Sequence, residues 1–263
     1  MRKSGRRGRI IATRGTRPAR STVVTKEAGG QVTAADRRET SARTPSGAGP
    51  AAEPELPGWL QPVAEAATRI RPEQLSRFLS PDDRARDSAV LILFGEDTSG
   101  PDLLIIERAH DMRSHAGQPA FPGGQVDPDD DGPVDAALRE AVEETGLRRE
   151  GIDVFATLPA LWLPHSNHVV TPVLAWWREP SPVAVVDPAE VASVHRVSIS
   201  ELTDPANRVR VRHPSGYVGP GFTVRGLLVW GFTGALIDRL LWFVGWERPW
   251  DSARVVDLPE VAR

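Results

Sequence analysis

The 263-residue chain is 40% hydrophobic and 25% charged, has a formal net charge of -3 and contains no cysteine. That length and apolar content supply one sizeable, elaborated core rather than two full domains. The lack of cysteine excludes a disulfide framework and a thiolate zinc site, and abundant carboxylates beside six histidines direct any metal towards oxygen ligands.

Charge is unevenly spread. Residues 1–52 hold twelve Lys or Arg against three acids (Glu27, Asp36 and Glu39), whereas the remainder holds twenty Arg against thirty-two acids. The first segment is rich in Arg, Thr, Ala, Gly and Pro with almost no large apolar residues, so it reads as a disordered basic tail, and 53–263 as the folded domain. A solvated extension is the simplest use of the tail; a nucleic-acid or membrane-surface arm and an organellar transit peptide are the alternatives. Apart from that arm, no nucleic-acid contact is expected. Lysine occurs only at Lys3 and Lys26, so cationic contacts in the domain fall to arginine, whose planar fork can grip two phosphate oxygens. The basic start is not followed by an apolar stretch of signal-peptide length. Asp238 and Arg239 interrupt the apolar run 226–246, so the expectation is a cytoplasmic protein without a membrane span.

Leu60, Val63, Ala64 and Ala67 recur at helical spacing within 59–69. The apolar runs 89–94 and 103–106, separated by Gly95, Asp97, Ser99, Gly100 and Pro101, predict two strands joined by a loop. A helix is predicted over 133–145, stopped by Gly146, with strands at 152–158, 168–177 and 191–197 and a core helix within 226–246. Helices alternating with strands indicate an α/β layered fold.

The segment 121–147, FPGGQVDPDDDGPVDAALREAVEETGL, joins a glycine turn, an acidic loop and a helix. Glu140, Glu143 and Glu144 stand at i, i+3 and i+4, so they share one helical face and repel one another, a conflict that a cation resolves. Val134, Ala137, Leu138, Ala141 and Val142 supply an apolar face for the sheet. Acids at this spacing also occur on solvated helices, but a solvated face does not require Gly123 and Gly124 upstream or Gly146 behind.

These residues resemble the Nudix box. Arg139, Glu140, Ala141, Glu143, Glu144, Gly146 and Leu147 match its second half, with Ala141 in place of an aliphatic. Counting back puts Asp131 at the loop acid and Gln125 at the glycine, one residue after Gly124, so the loop carries a one-residue insertion. The acid that holds Arg139 is therefore Asp127, Asp130 or Asp131. The lengthened loop is similar to that of the coenzyme A pyrophosphatase branch. So is the upstream pattern of Arg108, Ala109, Arg113, Gly117, Phe121, Pro122, Gly123 and Gly124, preceded by Leu104, Ile105 and Ile106. Glu190-Val191 and Trp230-Gly231 fit more loosely, and the likeness runs from about Ser88 to Trp246.

The resemblance implies a Nudix-type α/β/α sandwich with a mixed β-sheet, and attack by water on a diphosphate. It implies magnesium or manganese on Glu140 and Glu144, with Glu143 as third ligand or orienter and a carbonyl of Gly123 or Gly124 completing the cage. Glu140 and Glu190 are the candidate general bases, and His165 and His168 could approach the substrate. Arg108 and Arg113 contact phosphate, or else pair with Glu107, Asp111 or the box acids. Trp162, Trp176 and Trp177 read as packing residues. The expected substrate is coenzyme A or its thioesters; ADP-ribose, NADH or a nucleoside triphosphate is the alternative within the same chemistry. An idle nucleotide-binding module is the contrary reading, and the three intact glutamates speak against it. A homodimer is compatible with the sequence.

Overall fold

The computed structural model describes residues 55–76, 85–111 and 116–258. The basic tail and Arg113 lie outside them. Helix α1 (Gln61–Ala67) carries Pro62 in its first turn, where a missing N–H costs nothing, and turns Val63 and Ala66 inward. A single turn, α2 (Pro72–Leu75), follows.

Strands β1 (Arg86–Asp97) and β2 (Gly100–Arg108) form the expected hairpin, but they pair with each other only from Phe94 to Asp97 and Gly100 to Leu103. Beyond that point a wedge separates them. β3 (Pro119–Ala120) pairs with β2 at Ile106 and Glu107, and β4 (Gly123–Gln125) pairs with β1 at Ser88 to Val90. Phe121 and Pro122 are buried between the two short strands, and the Pro122 carbonyl accepts from the Leu91 N–H at 2.8 Å. The wedge presses the glycine turn against β1.

Helix α3 (Gly132–Thr145) carries Pro133 in its first turn and ends at Gly146, whose φ of 68° makes the left-handed cap that the sequence predicts. Ala136, Ala137, Leu138 and Ala141 pack on Ala89, Leu91, Leu93, Leu104, Val173, Ala175 and Trp177. The predicted packing face needs one correction. Val142 is 36% exposed, whereas Glu144 is buried at 5%. At 100° per residue the stripe through Ala137 and Ala141 continues to Glu144 and Thr145, and Val142 falls outside it.

The sheet is completed by β5 (Ile152–Thr157), β6 (Leu161–Leu163), β7 (His168–Trp177) and β8 (Val191–Ser198). Its path is β3-β2-β1-β7-β5, with β8 on the other side of β2. β1 and β7 run parallel from Arg86 opposite His168 to Phe94 opposite Trp176, while the other pairs are antiparallel. The sheet is therefore mixed. Trp177 packs under α3, and Trp176 meets Trp59 edge-on at 5.6 Å on the opposite face. Trp162 is half-buried and donates to Asn167 Oδ1 at 3.3 Å.

Helix α4 (Ile199–Thr203), capped by Ser198 and Glu201, leads into a second sheet that the sequence did not announce. Its members β9 (Arg208–Arg212), β10 (Val218–Val224), β11 (Leu227–Val229) and, after helix α5 (Gly231–Phe243), β12 (Val255–Asp257) stand in the order β11-β10-β9-β12. The predicted core helix is α5, but β11 takes the start of its apolar run. Phe222, Val224 and Val229 join α1 and α5 on the face opposite α3. The result is the expected α/β/α layering around a mixed sheet. Among the described residues no helix is long and apolar enough to cross a membrane.

Arg208 ties the second sheet to α5. Its side chain is 1% exposed, lies 4.7 Å from the rings of both Phe222 and Trp250, and donates to Asp238 and, at 3.4 Å, to Glu247. Removing Arg208 leaves Asp238 with only the partly exposed Arg239, whose Nη2 donates to it at 2.8 Å. Arg208→Met should therefore lower the unfolding free energy by about 3–5 kcal/mol in urea titrations. Adding Asp238→Leu should recover part of that loss, and an equal loss in the double variant would contradict this account.

Candidate metal and active site

The predicted carboxylate face forms, but its three members differ in environment. Glu144 points under the wedge, where its Oε2 accepts from the Gly123 N–H at 3.0 Å. Glu140 is half-buried and Glu143 exposed. The two glycines are explained by close approach. A Cβ on Gly124 would lie 2.3 Å from Glu140 Oε1, and one on Gly123, at φ 157°, would lie 2.2 Å from the Ala89 carbonyl oxygen. Any larger residue at 124 would displace the Glu140 carboxylate.

Arg139 gathers the cluster. Its Nε and Nη2 donate to the two oxygens of Asp130 at 2.9 Å each, and Nη2 also donates to the Gln125 carbonyl at 3.1 Å. Nη1 donates to Glu140 Oε1 at 3.0 Å and to Glu143 Oε2 at 3.1 Å. Of the three loop acids, Asp130 makes this fork. Asp127 stands 3.7 Å away, and Asp131 serves as the residue before α3. The hydrogen bonds from Arg139 hold the Asp130 carboxyl below its ordinary range.

Burial dominates the electrostatics of the other acids. It pushes the Glu144 carboxyl up to about 8, against the Gly123 N–H and Arg108, which favour the charged form; Glu140 and Glu190 raise it further. Burial also raises Glu140, in opposition to Arg139. No group of three or more His, Cys, Asp or Glu among the described residues stands as a ready-made cation cage. The donor set nevertheless suits a hard cation. It is all oxygen, and the buried carboxylate of Glu144 has Arg108 Nη1 as its nearest cation, at 4.0 Å.

Arg108 enters from the end of β2. Its backbone N–H donates to the Gln118 carbonyl and its carbonyl accepts from the Gly117 N–H, both at 3.1 Å. Its Nε is buried without a hydrogen-bond partner among the described residues. Glu190 precedes β8, exposed, with its carbonyl accepting from the Ala109 N–H at 2.9 Å, and its charge acts on Glu144. Glu140, Glu143, Glu144, Arg139, Arg108, Glu190, Gly123 and Gly124 are thus brought together. The histidines stand apart. His165 is exposed in the turn before β7, and His168 Nδ1 shares a 2.6 Å hydrogen bond with Ser88 Oγ. Strand alternation places His168 with Leu174, on the face opposite α3.

The sequence pattern of the NUDIX domain matches residues 84–215, half of the chain. The chain belongs to the Nudix family. NudL of Cronobacter sakazakii, described as an uncharacterized Nudix hydrolase, is 36% identical over 156 residues, covering 57% of this chain and 78% of that protein. NudL of Citrobacter koseri is 36% identical over 175 residues, covering 61% and 83%. Of solved structures, the Nudix hydrolase RenU of M. smegmatis gives a TM-score of 0.44 at 20% identity, covering 64% of this chain and 90% of that one.

Two outcomes follow from the Nudix-box geometry. Glu144 titrates near 8 in the folded chain against 4.5 for an ordinary glutamate, so folding takes up a proton between those values. Its contribution to stability is present below about pH 4.5 and is lost as pH rises through about 8. In chelator, Glu144→Gln should abolish this loss and raise the Tm at pH 8.5, by about 2–4 °C for each kcal/mol recovered in a domain of this size, and an unchanged Tm would contradict the buried carboxylate. Asp130→Asn should weaken Mn2+ binding about tenfold in titration calorimetry. The same change at Asp131 should be nearly silent, and the opposite ranking would reassign the loop acid.

Proposed function

We propose that this Nudix hydrolase cleaves the diphosphate bond of coenzyme A or its thioesters to (acyl-)phosphopantetheine and adenosine 3',5'-bisphosphate. One observation carries the reading: Arg108, from the upstream pattern, lies at Glu144, from the box, although the two are on separate elements. The pattern that resembles coenzyme A pyrophosphatases and the acids that resemble a metal cluster therefore address one place.

Glu140 and Glu144 would hold magnesium or manganese, with Glu143 as third ligand or orienter and a carbonyl of Gly123 or Gly124 as a further donor. When bound, the cation lowers the pKa of water and neutralises phosphate oxygens. Arg139, anchored by Asp130, fixes Glu140 and Glu143 before substrate arrives. Arg108, whose side chain is 26% exposed, offers the terminal nitrogens of its guanidinium to phosphate oxygens of the substrate. Glu190, exposed at the rim and close enough to act on Glu144, takes the proton from the attacking water; Glu140 is the other candidate base. The new bond joins the water oxygen to one phosphorus, and the bond from that phosphorus to the bridging oxygen breaks.

Coenzyme A, acetyl-coenzyme A, ADP-ribose, NADH and a nucleoside triphosphate, each with Mg2+ or Mn2+, form the deciding panel. Coenzyme A or its thioester should give the highest kcat/KM. Rapid turnover of another member with none of coenzyme A would overturn the substrate. Glu144→Gln should lower kcat by about two orders of magnitude or more, with the fold kept, and retained activity would refute the metal assignment.

A further inference from the structure

Strand β8 contains an irregularity at the point where it serves the site. Glu107 faces Ser193, yet the next residue, Arg108, faces Val191, so Ala192 is an extra residue without an opposite number. Such a bulge re-aims the chain that precedes it. In an unbroken antiparallel register, with Glu107 opposite Ser193, Glu190 would stand one residue further from Arg108. With the bulge, the Ala109 N–H meets the Glu190 carbonyl directly, at 2.9 Å. The bulge thus draws Glu190 one residue closer along β2 to Arg108.

A chain of side chains grips this bulge from the other face of the sheet. Ser193 Oγ lies 2.7 Å from Glu107 Oε2 and 2.6 Å from His195 Nε2. A carboxylate only accepts, so the Ser193 proton goes to Glu107, and Ser193 Oγ is left to accept from His195 Nε2–H. Every donor in that series has a place. Glu107 Oε1 is 3.5 Å from His110 Nε2, which ties in the segment following β2. The serine thus joins β8 to β2 across the last regular pair before the bulge, directly behind Arg108.

We propose that Ser193 is a positioning residue for the diphosphate site: held by Glu107 and His195, it pins the bulge at Ala192 and so sets where Arg108 and Glu190 stand against Glu144. This rests on the reading of Arg108 as a phosphate contact. Ser193 touches neither substrate nor cation and acts through the strand pair.

A double-mutant cycle on the full chain tests it, with coenzyme A and Mg2+, or ADP-ribose if coenzyme A is not turned over. Ser193→Ala should lower kcat/KM about tenfold. In an Arg108→Ala background the same change should cost less than about twofold, because the group it positions is gone. Ser193→Thr keeps the hydroxyl and should stay within about twofold of the parent. If Ser193→Ala does not fold, Glu107→Ala removes the anchor from the other strand and serves in the same cycle. Additive losses, or full activity in Ser193→Ala, would overturn the inference alone. Full activity in Arg108→Ala would overturn the phosphate-contact reading and the inference with it.

Discussion

A carboxylate placed in a dry site costs free energy unless hydrogen bonds and opposite charge receive it, and Glu144 is the residue at which this constraint governs the molecule. The wedge of β3 and β4 opens the hairpin so that the Gly123 N–H can face Glu144, and the same opening leaves the end of β2 free to deliver Arg108. The glycine at 123 is obligatory because the turn lies against the backbone of β1, and the glycine at 124 because Glu140 lies against it. Sheet splitting, glycine turn and arginine therefore serve one end. They bring donors to buried acids without offsetting the cost of burial, which holds the Glu144 carboxyl up at about 8.

A domain whose only basic side chains besides histidine are arginines uses the geometry of that group repeatedly. Arg139 reaches three carboxylates and a carbonyl at once. Arg208 is stacked between Phe222 and Trp250 while paired to Asp238, and Arg196 combines the Trp177 ring with Asp102 in the same way. A lysine ammonium has no flat face to stack and cannot fork. Arg108 is held more loosely than these. Its Nε is buried with no partner among the described residues, and its nearest acid is at the outer limit of an ion pair. Arg208 Nε is likewise buried without a partner among the described residues, so what sets Arg108 apart is that its guanidinium has no acid among them closer than 4.0 Å.

Much of this could be read from the sequence where one period or one stop signal dominates. Helix α3 carries a proline in its first turn, a left-handed glycine at its end and an apolar stripe, β1 and β2 contain unbroken apolar runs, and β7 has one interrupted only by Thr171 and Pro172. The second sheet stayed hidden for physical reasons. In β9 the arginine at 208 is inside and those at 210 and 212 are outside, so charge does not mark the solvent side. In β10 the run Gly219-Pro220-Gly221 has the composition of a turn, yet it pairs with β9, and glycine stands at 221 because a Cβ there would come within 2.5 Å of Val211. Burial of Glu144 in place of Val142 was equally hidden, since a sequence-based stripe assigns the valine inward on chemistry alone. His168 could be placed on a strand but not on a face, because the face depends on which neighbour the strand finds.

The inserted residue in the box loop shows how such a site tolerates a change in length. Counting along the chain points to Asp131, yet the loop closes on itself first: the Asp130 N–H donates to the Asp127 carbonyl at 3.1 Å, and Asp130 Oδ2 accepts from the Asp127 N–H at 2.8 Å. This turn holds Asp130 with both oxygens towards Arg139 before α3 begins, and Gly132 at φ 79° lets the chain enter the helix from there. A bidentate fork demands a plane and a distance, and neither depends on how many residues were used to reach it. The acid is therefore chosen by the closure of the turn, while the helix fixes Arg139, Glu140, Glu143 and Glu144 relative to one another. Loop length can vary upstream of that helix without disturbing the arrangement on which the chemistry rests.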